Sequence, residues 1–505
     1  MTLEDLLRRA LNARVSDVLP APTPLDEAPT LSARLGHPVR LKREDLTPVF
    51  SFKLRGAYNR IAGLTRKEST AGVIAASAGN HAQGVAFAAS RLGLACRIVM
   101  PRTTPSIKVN AVRRHGAEVE LVGDSYSDAA VHCARRAGET GMTIVPPFDD
   151  LDVIAGQATV GLEILHQAPR DLGTIFVPVG GGGLAAGVAT VVKAVRPHVR
   201  IVGVEADDAD AMARSLAAGE RVTLEHVGLF ADGAAVKQVG EHTFALCRQH
   251  LDGCMTVTID EICAAIKDVF EDTRSILEPA GALSVAGLKR AGETGSLPAG
   301  SAVAIASGAN MNFVRLGYVT ERAEVGEHRE ALLAVTIPEV PGAFRSFCAV
   351  IGERSVTEFN YRLATRAEAH VFVGVEVTGE SEARQLAAAL QVAGYACVAL
   401  GGDELAKTHV RHMVGGRSPT VADEVLYSFE FPERPGALMQ FLTSLGSRWN
   451  ISLFHYRNNG AAYGRVLCGF EVPQAERPAL AAALAELGFG CTDETENAAA
   501  RFFLR

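Results

Sequence analysis

The sequence has no apolar run as long as a membrane-spanning helix, no excess of basic residues and no paired-cysteine motif. A transmembrane helix needs roughly 18–20 consecutive apolar residues, and no stretch reaches that length. The net charge of -7 gives no electrostatic reason to expect nucleic acid or an anionic membrane as a partner. The nine cysteines are scattered without a CxxC pair. This argues against a disulfide framework and a zinc site, and it favours a reducing compartment.

The amino-terminal segment MTLEDLLRRALNARV lacks the features of a targeting signal. It has no apolar core, and Glu4 and Asp5 are atypical of an acid-poor transit peptide. Together with the cysteines, this predicts a cytoplasmic protein. With 48% hydrophobic and 21% charged residues, the chain has an ordinary globular composition. At about 100–200 residues per domain, 505 residues predict three or more domains.

Residues 1 to about 325 alternate between short apolar runs and segments long enough for a helix. Five runs have a β-type composition: GVIAAS (72–77), CRIVMP (96–101), TIFVPV (174–179), IVGVE (201–205) and AVAIAS (302–307). Near-continuous apolar strands separated by helices predict a parallel sheet covered on both faces. Ligands bind such sheets at the carboxyl ends of the strands. We expect a smaller subdomain at about 45–150 within this part.

The carboxyl-terminal part, from GEHRE near residue 326, contains an internal repeat. EALLAVTIPEVPGAF, VTEFNYR and VFVGVEV are followed in the same order by EVLYSFEFPERPGAL, ISLFHYR and VLCGFEV. Pro341 aligns with Pro435, 94 positions on, and Tyr361 aligns with Tyr456, 95 positions on. Each copy predicts the order βαββαβ. The two copies are expected at 330–401 and 423–495. The Gly- and charge-rich segment 401–423 connects them.

Two glycine-rich turns follow predicted strands and precede predicted helices: SAGNHAQG (77–84) and GGGGL (180–184). Small residues let backbone N–H groups approach an anion, and a helix N-terminus favours a phosphate or carboxylate. Taken singly, each is also an ordinary turn. The second, with Ala186 and Glu205, is similar to the GxGxxA loop of dinucleotide-binding enzymes.

Two further motifs supply a lysine and a serine. In SFKLRGA (51–57), Ser51 is predicted to cap a helix and to place Lys53 in its first turns, and in SGAN (307–310), Ser307 ends a strand. Alone, a solvated lysine and a capping serine are the ordinary explanations. Together the four motifs fit a phosphorylated ligand with a carbonyl group, which needs a lysine for a Schiff base, glycine amides for the phosphate and polar partners for its ring. Pyridoxal 5'-phosphate (PLP) has those parts.

The motifs resemble those of biosynthetic threonine ammonia-lyases in their long form. SFKLRGAYN, SAGNHAQGVA, VPVGGGGLAAG, DGAAVKQVGEHTF, EPAGA and SGAN occur in that family's order. The resemblance implies an α/β catalytic part at 1–325 of the tryptophan-synthase-β-like class (PLP fold type II), with open parallel sheets. It also implies that the repeats are two α+β, ferredoxin-like (ACT-like) regulatory domains. The implied reaction is PLP-dependent β-elimination of L-threonine, with L-serine as a weaker substrate. The products are 2-oxobutanoate and ammonia, on the way to isoleucine, and the implied assembly is a homotetramer.

The resemblance also implies roles for single residues. Lys53 would be the catalytic lysine that binds PLP covalently, Asn80 would bind the ring oxygen, and Ser307 would contact the pyridine nitrogen. The PLP phosphate would lie against Gly180, Gly181, Gly182, Gly183 and Leu184. The substrate carboxylate would lie near Ser77, Gly79, Asn80 and His81. The internal repeat itself predicts a shared amino-acid pocket between the two copies, and the matched elements would place five residues there: Gly342, Phe344, Tyr361, Leu438 and Tyr456. The resemblance implies isoleucine as the effector, with valine as a candidate opposing ligand.

One position departs from related serine racemases and dehydratases, which hold a divalent cation with a glutamate and an aspartate. Glu205 is present, but Ala211 stands where the aspartate aligns, so we predict no metal. Three alternatives stay open: a serine dehydratase or racemase on the same scaffold, an NAD-dependent dehydrogenase, and a non-enzymatic amino-acid sensor. The doubled tail favours threonine. A dehydrogenase leaves the SFKLRGA, SAGNHAQG and SGAN motifs without a role, and Lys53 with the glycine loop argues against a sensor.

Overall fold

The computed structural model describes residues 3–338, 343–352, 354–363, 368–412, 421, 423–432, 441, 448–457 and 463–504. The chain divides into two compact units, Met1–Phe313 and Val314–Arg505. This division lies before the limit near residue 325 expected from the sequence, because the helix Val314–Gly326 belongs to the second unit. Among the described residues, no helix is both long enough and apolar enough to cross a lipid bilayer.

Within residues 3–313, ten strands form two sheets. They are β1 (Leu25–Glu27), β2 (Val39–Arg43), β3 (Val73–Ala76), β4 (Cys96–Met100), β5 (Glu118–Leu121), β6 (Thr143–Ile144), β7 (Leu172–Pro178), β8 (Arg200–Ala206), β9 (Gly253–Val257) and β10 (Ser301–Ala306). The larger sheet has the order β1-β2-β10-β7-β8-β9, in which only the β1–β2 pair is antiparallel. The smaller sheet, β5-β4-β3-β6, is fully parallel. The predicted parallel sheets and the five predicted strands are therefore confirmed.

Thirteen helices accompany these strands in the described part of the first unit. They are α1 (Leu3–Leu11), α2 (Pro29–Leu35), α3 (Lys53–Ala62), α4 (Arg66–Ala71), α5 (Asn80–Arg91), α6 (Ser106–Arg113), α7 (Tyr126–Thr140), α8 (Leu151–Gln167), α9 (Gly183–Val195), α10 (Ala211–Ala218), α11 (Glu241–His250), α12 (Ile259–Thr273) and α13 (Pro279–Glu293). The apolar helices α8 and α9 pack on the larger sheet, where their Ala, Val and Ile side chains are buried except for Ala194 and Val195 at the end of α9. Because both faces of a parallel sheet are covered, its ligand-accessible edge is where the strands end.

The second unit contains two copies of a similar arrangement of strands and helices. The first copy contains β11 (Glu330–Pro338), α15 (Ala343–Ile351), β12 (Val356–Leu363), β13 (Glu368–Glu376), α16 (Glu380–Val392) and β14 (Ala396–Ala399), after α14 (Val314–Gly326). The second contains β15 (Glu424–Pro432), β16 (Asn450–Arg457), β17 (Tyr463–Glu471), α18 (Arg477–Leu487) and β18 (Gly490–Asp493). The sheets have matching antiparallel orders, β12-β13-β11-β14 and β16-β17-β15-β18. The first copy confirms the predicted order. The first helix of the second copy would fall at 433–447, where only Phe441 is described.

The connector at 401–423 contains a short helix that the sequence did not predict, α17 (Glu404–Thr408). Its start is fixed by Asp403, whose carboxylate accepts a hydrogen bond from the Ala406 N–H (2.9 Å). The corresponding element of the second copy is α19 (Ala498–Phe503), whose first residue lies 94 positions after Glu404. Both helices belong to one buried apolar cluster that also includes strand residues of both copies.

The effector residues expected from the sequence lie mostly outside the part that the structure describes. Gly342 and Leu438 are outside the described residues altogether. Phe344 lies in α15, Tyr361 in β12 and Tyr456 in β16, but their side chains are outside the description. The effector site therefore stays a prediction.

Candidate active site

A cavity lies where β3, β7 and β10 end, and its open space, including the solvent at its mouth, is about 490 Å³. Eight residues singled out from the sequence line it: Lys53, Asn80, Gly180, Gly181, Gly182, Gly183, Leu184 and Ser307. Nine further residues line the cavity without a role predicted from the sequence: Phe52, Pro147, Phe148, Gln157, Pro178, Gly233, Ala234, Glu278 and Ala280. Of these, Gly233 lies in the DGAAVKQVGEHTF motif and Glu278 in the EPAGA motif. These two motifs could have identified both residues from the sequence.

Lys53 is the first residue of α3, and its amine is enclosed in the cavity wall. Its Nζ donates a hydrogen bond to the Pro147 carbonyl (2.8 Å). Burial lowers the pKa of Lys53 to about 8, although the nearby carboxylate of Glu278 raises it. A lysine with this pKa is partly neutral near physiological pH and can act as a nucleophile or a base.

The prediction that Ser51 caps this helix is wrong. Phe52 occupies the cap position and makes no side-chain capping bond. Ser51 is instead held by Thr47, whose hydroxyl bonds both to the N–H of Ser51 (2.9 Å) and to its carbonyl (2.8 Å). Ser51 also forms a β-bridge with Gly308, which places the start of α3 beside the end of β10. Phe52 N–H donates to the Ser307 carbonyl (3.2 Å) and strengthens this connection.

A buried ion-pair network holds α3 two residues beyond Lys53. The fully buried guanidinium of Arg55 donates to Glu44 (2.7 Å) and to Glu163 (2.6 Å). Glu163 also forms an ion pair with the buried ammonium of Lys42. Removing one partner of such a buried network costs about 3–5 kcal/mol, because an uncompensated charge is left behind. The SFKLRGA motif therefore contains a residue, Arg55, that fixes the position of α3 close to Lys53.

Three of the four loop glycines, Gly180, Gly181 and Gly182, have no room for a side chain, and the space at Gly183 is tight. A Cβ on Gly181 would lie 2.2 Å from the Phe148 ring, and Gly182 has a φ of +93°. The Thr243 hydroxyl donates to the Gly181 carbonyl (2.6 Å) and fixes the loop. α9 begins at Gly183, so backbone N–H groups and the positive end of the helix dipole face the cavity. This is the arrangement expected of a phosphate site.

Asn80 begins α5, as the sequence predicted for the turn after β3. Its Nδ2 donates to Glu278, and its Oδ1 accepts from Asn310 Nδ2 (2.8 Å). Ser307, which directly follows β10, is buried, and its hydroxyl is 3.4 Å from the Ala280 carbonyl. Two polar groups suited to ring substituents of a flat ligand therefore enter the cavity from separate strands.

Ser77, Gly79 and His81 belong to the same turn as Asn80 but do not line the cavity. The Ser77 hydroxyl accepts a hydrogen bond from the Gly79 N–H (3.3 Å). His81 Nε2 is 2.8 Å from the Val145 carbonyl, so this nitrogen carries a hydrogen. Burial and the nearby Lys53 lower the pKa of His81 to about 3, so the ring is neutral at physiological pH. Toward a carboxylate, His81 would therefore position the turn and would not add a positive charge.

Glu205 lies at the end of β8, outside the cavity. Its carboxylate accepts the N–H groups of Met212 (2.9 Å) and Ala213 (2.7 Å) at the start of α10. Burial raises the pKa of Glu205 to about 7. In the part of the chain that is described, no group of three or more His, Cys, Asp or Glu residues could hold a metal ion. The absence of a metal stays a prediction.

The cavity fits PLP. The loop at 180–183 leaves no space for a Cβ at Gly181 but exposes the N-terminus of α9, as a bound phosphate requires. The buried amine of Lys53 and the amide of Asn80 line the same cavity, where they would offer a nucleophile to the aldehyde and a donor to the ring oxygen. The lining therefore contains a partner for each functional group of this cofactor.

Comparisons with known proteins agree with this geometry. Residues 18–308 match the family of pyridoxal-phosphate dependent enzymes, and residues 321–410 and 415–504 each match the C-terminal regulatory domain of threonine dehydratase. The chain is 56% identical over 507 aligned residues to the biosynthetic L-threonine dehydratase of Burkholderia multivorans, covering 100% of both proteins. It is 52% identical to the Escherichia coli enzyme of that name, covering 99% of this chain and 97% of the relative.

Solved structures are similar to a little under two thirds of the chain. Threonine deaminase isoform 2 of Solanum lycopersicum superposes with a TM-score of 0.62 at 49% identity, covering 64% of this chain and 88% of that one. Maize serine racemase superposes with a TM-score of 0.58 at 32% identity, covering 63% and 96%. The match to PLP enzymes decides against the NAD-dependent dehydrogenase. The chain belongs to the biosynthetic threonine dehydratases, a family of PLP-dependent lyases with a C-terminal regulatory region.

Proposed function

We propose that the chain converts L-threonine to 2-oxobutanoate and ammonia, and that L-serine is a weaker substrate. The carrying observation is the enclosure of the Lys53 amine in one cavity with the four-glycine loop. The names of the full-length relatives support threonine as the substrate. The reaction removes water across the Cα–Cβ bond, and hydrolysis of the resulting enamine then releases ammonia, so the net loss from threonine is one ammonia.

In this reaction bound PLP supplies an electron sink for the charge that develops at the substrate Cα. Lys53 would bind the cofactor aldehyde and, once the substrate amine displaces it, would accept the Cα proton. With a pKa of about 8, roughly a tenth of the Lys53 amine is neutral at pH 7. A positioned base of this kind contributes about 10²–10⁴ to the rate.

The other lining residues would bind and orient the cofactor. Gly180 to Gly183 and Leu184 would hold the phosphate, and Asn80 would donate to the ring oxygen. Ser307 would contact the pyridine nitrogen with a neutral hydroxyl. Since a hydroxyl cannot stabilise a protonated ring nitrogen as an aspartate would, we expect a weaker electron sink that favours prompt elimination over transamination. Ser77, Gly79 and His81 would shape the turn that receives the substrate carboxylate.

The choice between threonine and serine rests on one methyl group. Such a difference in an apolar pocket is worth about 1–3 kcal/mol, which corresponds to a roughly 5- to 150-fold preference. A keto-acid assay with both substrates tests the proposal. We expect faster release from L-threonine and slower but measurable release from L-serine. Racemisation of serine without keto-acid release would contradict the proposal and favour the serine racemase alternative. The similarity to maize serine racemase, at 32% identity, is the observation behind that alternative.

We further propose that the second unit binds isoleucine and thereby lowers activity. The match of both copies to the regulatory domain of threonine dehydratase supports this role. The domains would be the copies at 330–401 and 423–495, with valine as a candidate opposing ligand. An effector can act only through different affinities for two states, typically about 1–3 kcal/mol of coupling. Isothermal titration of isoleucine into the full chain checks this, and absence of binding would contradict it.

We also propose a cytoplasmic homotetramer. The nine cysteines, all of which the structure describes, form no disulfide with one another, which supports the reducing compartment. The resemblance to the long-form family supports the tetramer, and light scattering of the purified chain tests it. A monomer or dimer across the working concentration range would contradict this assembly.

A further inference from the structure

Asn80 lies in a short series of hydrogen-bonded amide and carboxylate groups. The donor and acceptor roles in this series are fixed at both ends. At one end, Asn310 Nδ2 lies 2.8 Å from the carbonyl of Val49 and 2.8 Å from Asn80 Oδ1. At the other end, Asn80 Nδ2 contacts the carboxylate of Glu278. Glu278 is 3% exposed and lines the cavity, whereas Asn310 is partly buried behind Asn80.

The hydrogen-bonding roles in this chain follow from valence. A backbone carbonyl can only accept, so the Asn310 group beside Val49 is its NH₂. That NH₂ also faces Asn80, so the facing Asn80 atom is its oxygen. The Asn80 NH₂ therefore points to Glu278, which accepts when ionised. One of its two hydrogens serves Glu278, and the other is available to an acceptor in the cavity that Asn80 lines.

A glycine makes room for this contact. A Cβ on Gly308 would lie 2.4 Å from Glu278 Oε1 and 3.3 Å from Asn80 Nδ2. The Glu278 N–H also donates to the Gly308 carbonyl (3.1 Å), which ties the start of α13 to the end of β10. The two polar side chains can thus meet only because position 308 has no side chain.

We infer that Glu278 and Asn310 are positioning residues that hold the Asn80 amide with its N–H, not its carbonyl, toward the ring oxygen of PLP. This inference rests on the proposed function, in which Asn80 binds that oxygen. A reversed amide would place two oxygens against each other. The network therefore acts on the affinity for the cofactor and on the charge of its ring oxygen.

The test compares the PLP affinities of two variants at Asn310. The inference predicts the opposite order of affinities from the one that loss of packing alone would give. Asn310→Asp keeps the size but sets a carboxylate against two acceptors, so the Asn80 amide is driven to turn over. Asn310→Ala leaves a small gap but lets Glu278 hold the amide. We expect PLP to bind the cofactor-stripped Asn310→Asp chain at least tenfold more weakly than the Asn310→Ala chain. If packing alone mattered, the isosteric aspartate would bind PLP more tightly, and that result or equal affinity would overturn the inference.

A spectroscopic titration of bound PLP adds a readout that a packing defect would not move. Losing a donor disfavours the ionised ring oxygen, so its titration midpoint is expected to rise in Asn310→Asp. Asn59 provides the matched control. Its amide also lies between a donor, Arg14 N–H, and an acceptor, the Asp152 carbonyl, but it does not line the cavity. Asn59→Asp and Asn59→Ala should both keep the dissociation constant for PLP within threefold of the parent chain.

A second pair of variants decides the matter if Asn310→Asp does not fold, as checked by circular dichroism. Glu278→Gln keeps an acceptor oxygen, whereas Glu278→Met keeps the length without one. We expect PLP affinity within threefold of the parent for glutamine and at least tenfold weaker for methionine. Equal affinities would overturn the inference. Failure of the proposed function is a separate result: the parent chain itself would then bind no PLP or release no keto acid from threonine.

Discussion

Replacing Gly181 with alanine tests the proposed phosphate loop at its tightest point. The new Cβ would lie 2.2 Å from Cδ1 and 2.3 Å from Cγ of Phe148, whose ring carbon Cγ cannot move without the backbone or a new rotamer. Overpacking of this kind costs typically about 1–3 kcal/mol. If the strain is relieved by moving the loop, PLP loses its phosphate contacts, and the dissociation constant should rise roughly 5- to 150-fold.

Equilibrium titration of PLP into the cofactor-stripped chain, followed by absorbance, measures this change. Gly183→Ala should have a smaller effect, since its nearest neighbour would be 3.2 Å away. Gly138→Ala is the control, because Gly138 lies in α7 with no atom within 4 Å of its added Cβ. Phe148→Leu in the Gly181→Ala background should restore part of the affinity. Parent-like PLP affinity in Gly181→Ala, with the fold intact, would refute the assignment of the loop to the phosphate.

Three further predictions concern the lysine, the serine and the second unit. The rate at which the stripped chain captures PLP should rise with pH through a midpoint near 8 and level off above about pH 9, because the neutral Lys53 amine forms as the pH passes its pKa of about 8. A midpoint near the ordinary lysine value of 10.5 would show that burial does not lower this pKa. Ser307→Asp should keep PLP bound but slow elimination from threonine, since a carboxylate favours a protonated ring nitrogen; unchanged turnover would count against the electronic role of Ser307. Deleting residues 330–505 should preserve keto-acid release and abolish inhibition by isoleucine, and undiminished inhibition would place the effector site elsewhere. Because truncation can expose apolar surface and make the chain insoluble, the PLP absorbance of the truncated chain is compared with that of the full chain.

The parts of the fold that follow from sequence are those with strong local patterns. Apolar runs such as TIFVPV and AVAIAS predicted β7 and β10, and the glycine loop after the first of these was correctly placed before a helix. The repeat offset near 94 positions predicted two similar units before any strand pairing was known. Such features are local or periodic, so a single sequence contains them.

The remaining features depend on contacts between distant segments. Ser51 resembles a helix cap in sequence, but its backbone is held by Thr47 and Gly308 instead, and only tertiary structure shows the second of these. Glu278 and Phe148 reach the cavity from segments far from Lys53 in sequence. The helix α17 in the connector has too few residues to give a periodic pattern, and it is stabilised by burial in a cluster shared by both repeats.

The most direct measurement maps the residue that carries the cofactor. The PLP-loaded chain is reduced with borohydride, digested and analysed by mass spectrometry for a pyridoxyl-lysine. The account predicts that the modification falls on Lys53, in the peptide that contains SFKLRGA, and that Lys53→Ala both loses it and releases no 2-oxobutanoate from threonine. Modification of a different lysine in the parent chain, or continued keto-acid release by Lys53→Ala, would contradict it.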